Sequence, residues 1–233
     1  METETSLDID QEKPRSGHIS DVGMLDLTSA RTPEDLAYIA SLSNIGAILV
    51  PENLSAALSG VPMQNIGAVI PIATGDNVDM ITGQTKLTGE SLAAGDPESI
   101  LVIVGQVIVT TRVDKVGYKG LQIVGQMIAP RGSETALASK VKRMSGQLLY
   151  CPEGARIFMG EETVTQEFLE MLPAPTPFLV MGQLRFDPDI TPDVLRQKVS
   201  EIVLMGQLIV GPEIATLVQF LTIEKMGDIA VQE

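Results

Sequence analysis

A chain of 233 residues, 44% hydrophobic and only 3% aromatic with no Trp, has enough aliphatic mass for a sizeable core and lies far from a disordered composition. Its net charge of −14 opposes both phosphate neutralisation and approach to anionic lipid, so nucleic acid and membrane surfaces are excluded as expected partners. The single cysteine, Cys151, excludes an intrachain disulfide and favours a reducing, cytoplasmic setting.

Met1 to Pro14 is polar and acidic, with no apolar leader. Residues 1–17 are expected to form a disordered acidic tail, followed by a single solenoid domain over 18–233. Through that domain a short pattern recurs around a glycine: Gly23, Gly46, Gly67, Gly83, Gly105, Gly125, Gly146, Gly182, Gly206 and Gly227. The spacings are 23, 21, 16, 22, 20, 21, 36, 24 and 21 residues. A period near 21 is the mark of a repeat architecture. The longest apolar stretch, Ile100 to Val109 around Gly105-Gln106, is too short to cross a bilayer as a helix, so no membrane insertion is expected.

With the glycine numbered zero, positions −1, +2 and +4 are nearly always apolar, as in Ile45/Ile48/Val50, Val104/Val107/Val109 and Met205/Leu208/Val210. Positions +2 and +4 share one strand face, because side chains alternate with period two. The −1 residue joins them only if the chain bends at the glycine, a residue that permits such bends. After +4 comes a stop: Pro51-Glu52, Pro130-Arg131, Pro152-Glu153, Pro188-Asp189 or Pro212-Glu213. Proline suits the first turn of a helix, and acidic residues there complement its dipole.

Helical spacing then follows in several copies. Thr32-Pro33-Glu34-Asp35 precedes Leu36, Ile39 and Ala40, and Leu54, Ala57 and Leu58 stand at i, i+3, i+4. Thr191-Pro192-Asp193 opens a helix to about Ser200, and Ile214, Leu217, Val218 and Leu221 share a helical face. Thr74 to Asn77 reads as a loop, and Arg112 to Gly120 lacks a helix. The 36-residue gap before Gly182 accommodates an extra strand at Arg156 to Met159 before Gly160, a helix near Thr163 to Leu172, and a stiff connector with Pro173, Pro175 and Pro177. The expected fold is α/β: a right-handed repeat solenoid of about ten coils of ~21 residues, with a parallel sheet on one side and short helices and turns on the other.

The pattern resembles a leucine-rich repeat, whose core reads LxxLxLxxN. Ile45-Gly46-Ala47-Ile48-Leu49-Val50-Pro51-Glu52-Asn53 fills all four key places, and Met205 to Val210 fills the first three. That resemblance implies a curved parallel sheet used for binding other proteins. The family's asparagine stands only at Asn53, and the recurrent Gly-Gln is not an ordinary feature of the family. A bactofilin-like, polymer-forming β-solenoid is the rival architecture; it needs no Pro-Glu helix starts.

Two columns share the opposite strand face. At +1 stand Gln84, Gln106, Gln126, Gln147, Gln183 and Gln207. Stacked in register, these amides form either a stabilising ladder or a polar recognition stripe. At +3 stand Leu49, Ile70, Ile108, Ile128, Leu149 and Ile209, with Asp26, Lys86, Arg185 and Ala230. Left open, this row would be an apolar patch on the order of several hundred Å2, which monomers rarely expose. Either the chain's own segments or another chain must cover it. The expectation is an interaction face made of Leu49, Ile70, Gln106, Ile108, Gln126, Ile128, Gln147, Leu149, Gln183, Gln207 and Ile209, serving self-association or a protein partner. The edge of the last strand, Gly227 to Val231, is a second expected contact.

No chemistry-bearing constellation emerges from the residues. His18 is the only histidine and stands near the tail; Cys151 has no basic neighbour in sequence; no phosphate-binding glycine motif occurs. Glu52, Glu153, Asp189 and Glu213 are explained by helix-start electrostatics, with a weak calcium site as the alternative. The expectation is therefore a non-enzymatic interaction or self-assembly module, without cofactor, metal or catalytic residues, working as a homo-oligomer. The alternative is an enzyme or ligand-binding protein with its site on loops 72–99 or 150–177.

Overall fold

The computed structural model describes residues 17–173 and 175–232. Residues 1–16 of the expected tail lie outside the described residues, and Gly17 begins the first strand. The chain is α/β with parallel sheets, and it divides into three blocks of repeats.

In the first block, β1 (Gly17–Asp26), β2 (Ile39–Pro51) and β3 (Met63–Ile72) pair in that order. The returns are a 3-10 turn at Pro33–Leu36 and the short helix α1 (Ser55–Ser59). In the second, β4 (Asn77–Leu87), β5 (Ser99–Val109), β6 (Gly120–Pro130) and β7 (Val141–Cys151) form a four-stranded sheet with α2 (Gly89–Ala93) and α3 (Glu134–Ala138). In the third, each repeat carries two short strands. The strands β8 (Arg156–Phe158), β10 (Thr176–Val180), β12 (Val199–Leu204) and β14 (Thr222–Lys225) make one sheet. The strands β9 (Glu161–Val164), β11 (Gln183–Phe186), β13 (Gln207–Val210) and β15 (Asp228–Val231) make another. Its helices are α4 (Gln166–Met171), α5 (Pro192–Lys198) and α6 (Pro212–Leu221).

The expected single ladder is thus interrupted: among the described residues β3 does not pair with β4, nor β7 with β8. Both breaks coincide with short glycine spacings. Gly67 to Gly83 is 16 residues, and Gly146 to Gly160 is 14, too few for a full return. Gly160 is a further repeat glycine, and it splits the 36-residue gap.

The bend within each repeat is made in three ways. In the second block Gly105, Gly125 and Gly146 take φ of 128°, 120° and 140°. In the first block the left-handed residue is two places earlier, at Asp21, Asn44 and Asn65, with φ of 53–57°; Asn and Asp are the residues besides glycine that tolerate this region. In the third block the strand stops and restarts across Met181-Gly182, Met205-Gly206 and Met226-Gly227. There Met181 N–H donates to the Phe158 carbonyl at 2.8 Å, and Gln183 N–H donates to the Gly160 carbonyl at 2.9 Å.

These bends decide where position −1 points. Ile45 joins the core of the first block as expected. Val104, Val124, Met181 and Met205 instead lie on the outer face, because the outward alternation continues up to the glycine in the later blocks. Positions +2 and +4 face inward throughout, with Ile48, Val50, Val107, Val109, Leu184 and Phe186 all buried.

The helix expected to run from Pro33 past Ile39 is a single 3-10 turn. Ile39 already belongs to β2, whose pairing with β1 begins there. Asp35 closes that turn by accepting the N–H groups of Arg31 and Thr32 at 2.7 and 2.9 Å. Pro177, expected in a stiff connector, lies inside β10, at the register shift between Thr176 and Phe178 where a ladder donor is dispensable. Each block has its own aliphatic core closed by its helices. The third adds an edge-on aromatic pair, Phe158 and Phe178, with centroids 4.9 Å apart.

Candidate functional site

The face expected to meet a partner is largely internal. Leu49, Ile70, Ile108, Ile128 and Ile209 are none more than 4% exposed, and Leu149 is half-buried. Of the alternatives open to the sequence, coverage by the chain's own segments describes these residues. Leu49 and Ile70 of the first block meet Ile100 and Val102 of the second. Ile108, Ile128 and Leu149 of the second meet Leu179 and Val203 of the third, with Cys151 beside them. The +3 column of one block therefore sits on the −3 column of the next. Burial of an Ile or Leu side chain contributes about 1.5–3 kcal/mol, so each junction is held chiefly by these few residues.

Polar contacts fix the register of the junctions. Gln122, buried on β6, donates from Nε2 to the Pro71 carbonyl of β3 at 3.2 Å. Lys119 pairs with Asp76 across the first junction, and Arg131 pairs with Glu201 at 3.0 Å across the second. On the third block the +3 column has no following block. There Arg185 on β11 donates to Gln232 beyond β15, and the two flank Ile209 on the strand between. The shallow groove alongside, about 260 Å3, is lined by Phe186, Ile190, Pro212 and Ile214.

The glutamine column behaves as a ladder in the second block. Gln84 donates to Gln106, Gln106 to Gln126 at 2.5 Å, and Gln126 to Gln147 at 3.4 Å. Gln106, Gln126 and Gln183 are partly buried, whereas Gln147 and Gln207 are exposed. Sequence reasoning missed a second ladder. Asn65 donates to Asn44 and Asn44 to Asp21, each at 2.9 Å, and the Asn44 amide holds the Asp21 carboxyl below its usual pKa. The signal was Asp or Asn at −2 in three successive repeats.

The remaining candidates are dispersed. His18 Nδ1 lies 2.7 Å from Ser41 Oγ on the neighbouring strand. Among the described residues no group of three or more His, Cys, Asp or Glu side chains is placed to hold a metal, and no helix is long and apolar enough to cross a membrane. Cys151 is buried in the second junction, and desolvation pushes its thiol pKa up. Since the thiolate is the reactive form, Cys151 is expected to resist a disulfide reagent at pH 7–8 until urea unfolds the chain. Rapid labelling of the native protein would contradict that placement.

What stays open is one end of the molecule. Junction contacts such as Gln122 with Pro71 and Arg131 with Glu201 align the blocks, so their last strands β3, β7, β14 and β15 lie toward the same end. Of the large exposed apolar side chains, Met63, Val69, Met144, Ile223, Met226 and Val231 lie on those strands or at their bend, and Phe220 on the adjoining α6. Val69, Met144 and Ile223 are 38%, 46% and 50% exposed. The opposite end, made by β1, β4, β8 and β9, carries fewer of that set: Met80 on β4, Met171 on the adjoining α4 and Tyr38 beside Gly17.

Comparison of the chain with protein-family models, with curated proteins and with solved structures finds no match.

Proposed function

We propose that this protein is a non-catalytic self-assembly module of the cytoplasm, and that its contact surface is the apolar end formed by β3, β7, β14 and β15. In this reading each repeat is one coil of a right-handed α/β solenoid, cut into three short stacks, and the likeness to leucine-rich repeats is architectural. The observation that carries the proposal is the concentration of exposed Met, Val and Ile side chains on strands whose outer edges have no ladder partner among the described residues. Unpaired edges with apolar side chains are templates for pairing with another chain. The buried +3 column, by contrast, supplies the internal junctions.

Light scattering over a rising concentration series tests this. The wild-type mass is expected to exceed that of one chain, and Met144→Glu with Ile223→Glu is expected to lower it by placing carboxylates on the edge. A wild-type protein that keeps the mass of one chain throughout overturns self-assembly.

A further inference from the structure

Resting on that reading, we infer that the partner is a second copy joined last strand to last strand about a two-fold axis, so that assembly stops at a dimer. The two ends of the blocks differ, in several columns, in a way that opposes open-ended stacking. At the first-strand end several inward columns finish in polar side chains, while others finish in Ile19, Ile81, Leu87 and Val164. Asp79 stands opposite Leu101, Thr85 opposite Val107, and Glu162 opposite Leu184. At the last-strand end these polar-ended columns finish in apolar side chains: Val141 opposite Leu121, Leu148 opposite Met127, and Ile229 opposite Leu208. Solenoids end in polar caps, and in these three columns the polar residue stands at the first-strand end only.

Head-to-tail stacking would continue the register of the third block into the next copy. It would set Glu161 beside Asp228 and Glu162 beside Ile229, pairing like charges and desolvating a carboxylate on an aliphatic side chain. Inward-pointing charge of this kind blocks edge pairing. Joining two last-strand ends avoids both contacts. The end carries both signs of charge, Lys142 and Arg143 on β7 against Glu224 and Asp228 on β14 and β15. A second copy also presents the same unpaired edges at the inter-block spacing that the junctions fix. A two-fold contact is self-complementary and closes.

Sedimentation velocity and native mass of the full chain test this. Wild type is expected to reach twice the chain mass and stop. Met144→Glu with Ile223→Glu is expected to weaken the dimer by about tenfold or more, with an unchanged circular dichroism spectrum. Asp79→Leu with Glu161→Gln and Glu162→Leu, which uncaps the other end, is expected to turn the dimer into longer assemblies. Hydrogen exchange on wild type supplies a readout independent of any variant: dimer formation is expected to slow amides of β7, β14 and β15, not those of β4, β8 and β9. Wild-type assemblies that grow without limit, or protection confined to β4, β8 and β9, overturn the closed dimer while leaving self-assembly standing. A single-chain mass at all concentrations removes the underlying reading itself.

Discussion

Gly125→Ala is expected to destabilise the protein by about 2–5 kcal/mol, whereas Gly160→Ala changes stability by less than about 0.5 kcal/mol. Both glycines occupy position zero of their repeats. At Gly125 a Cβ would overlap the carbonyl oxygen of Gly105 in the preceding repeat, and φ is 120°, a conformation strained for any side chain. The strand cannot retreat, because β6 is held between β5 and β7 along its length. Overpacking contributes about 1–3 kcal/mol of the loss and the left-handed backbone about 1–2 kcal/mol more. Gly160 begins the third block, where a Cβ would meet nothing within 4 Å and φ is not positive. Urea denaturation of the two variants, followed by circular dichroism, measures the difference. Equal midpoints would show that close approach between repeats is not what requires glycine.

The second large effect is at the junction between the second and third blocks. Ile128→Asp is expected to cost about 4 kcal/mol or more and to unfold much of the population at room temperature, because Ile128 is fully buried against the third block. Ile128→Ala is expected to cost about 2–5 kcal/mol, the range for an aliphatic side chain deleted from a site that cannot collapse. Gln147→Ala, on the exposed end of the glutamine ladder, serves as the mild comparison at under about 1 kcal/mol. The thermal midpoint separates these cases. An Ile128→Asp protein as stable as wild type but unable to associate would restore the idea that this column faces a partner.

Much of the local structure was legible in particular residues. The alternation at Ile48/Val50 and Leu208/Val210 identified the inward face. Pro192 and Pro212 marked the starts of α5 and α6, and Arg156 to Met159 before Gly160 was visible as an extra strand. The candidate surface was read less well. The row Leu49, Ile70, Ile108, Ile128 was correctly placed on one side of the strands, but its cover was not. A signal existed in β5, where Ile100 to Val104 is apolar at every position. Such a continuous run is what a strand buried on both faces looks like. The two short glycine spacings were the other sign, since 16 and 14 residues cannot complete a repeat of about 21.

What the sequence by itself determined about this protein is the repeat: the glycine period, the strand faces, the helix starts and the acidic, aliphatic composition. These follow from local rules of backbone geometry and side-chain alternation. Only the tertiary structure decided that the ladder breaks after β3 and β7, that the +3 column of one block covers the −3 column of the next, and that most of the large exposed apolar side chains gather at one end. The physical reason is that alternation specifies which side chains share a face. What that face touches depends on how far the chain travels before its next strand finds a partner, and this is set by packing between residues distant in sequence.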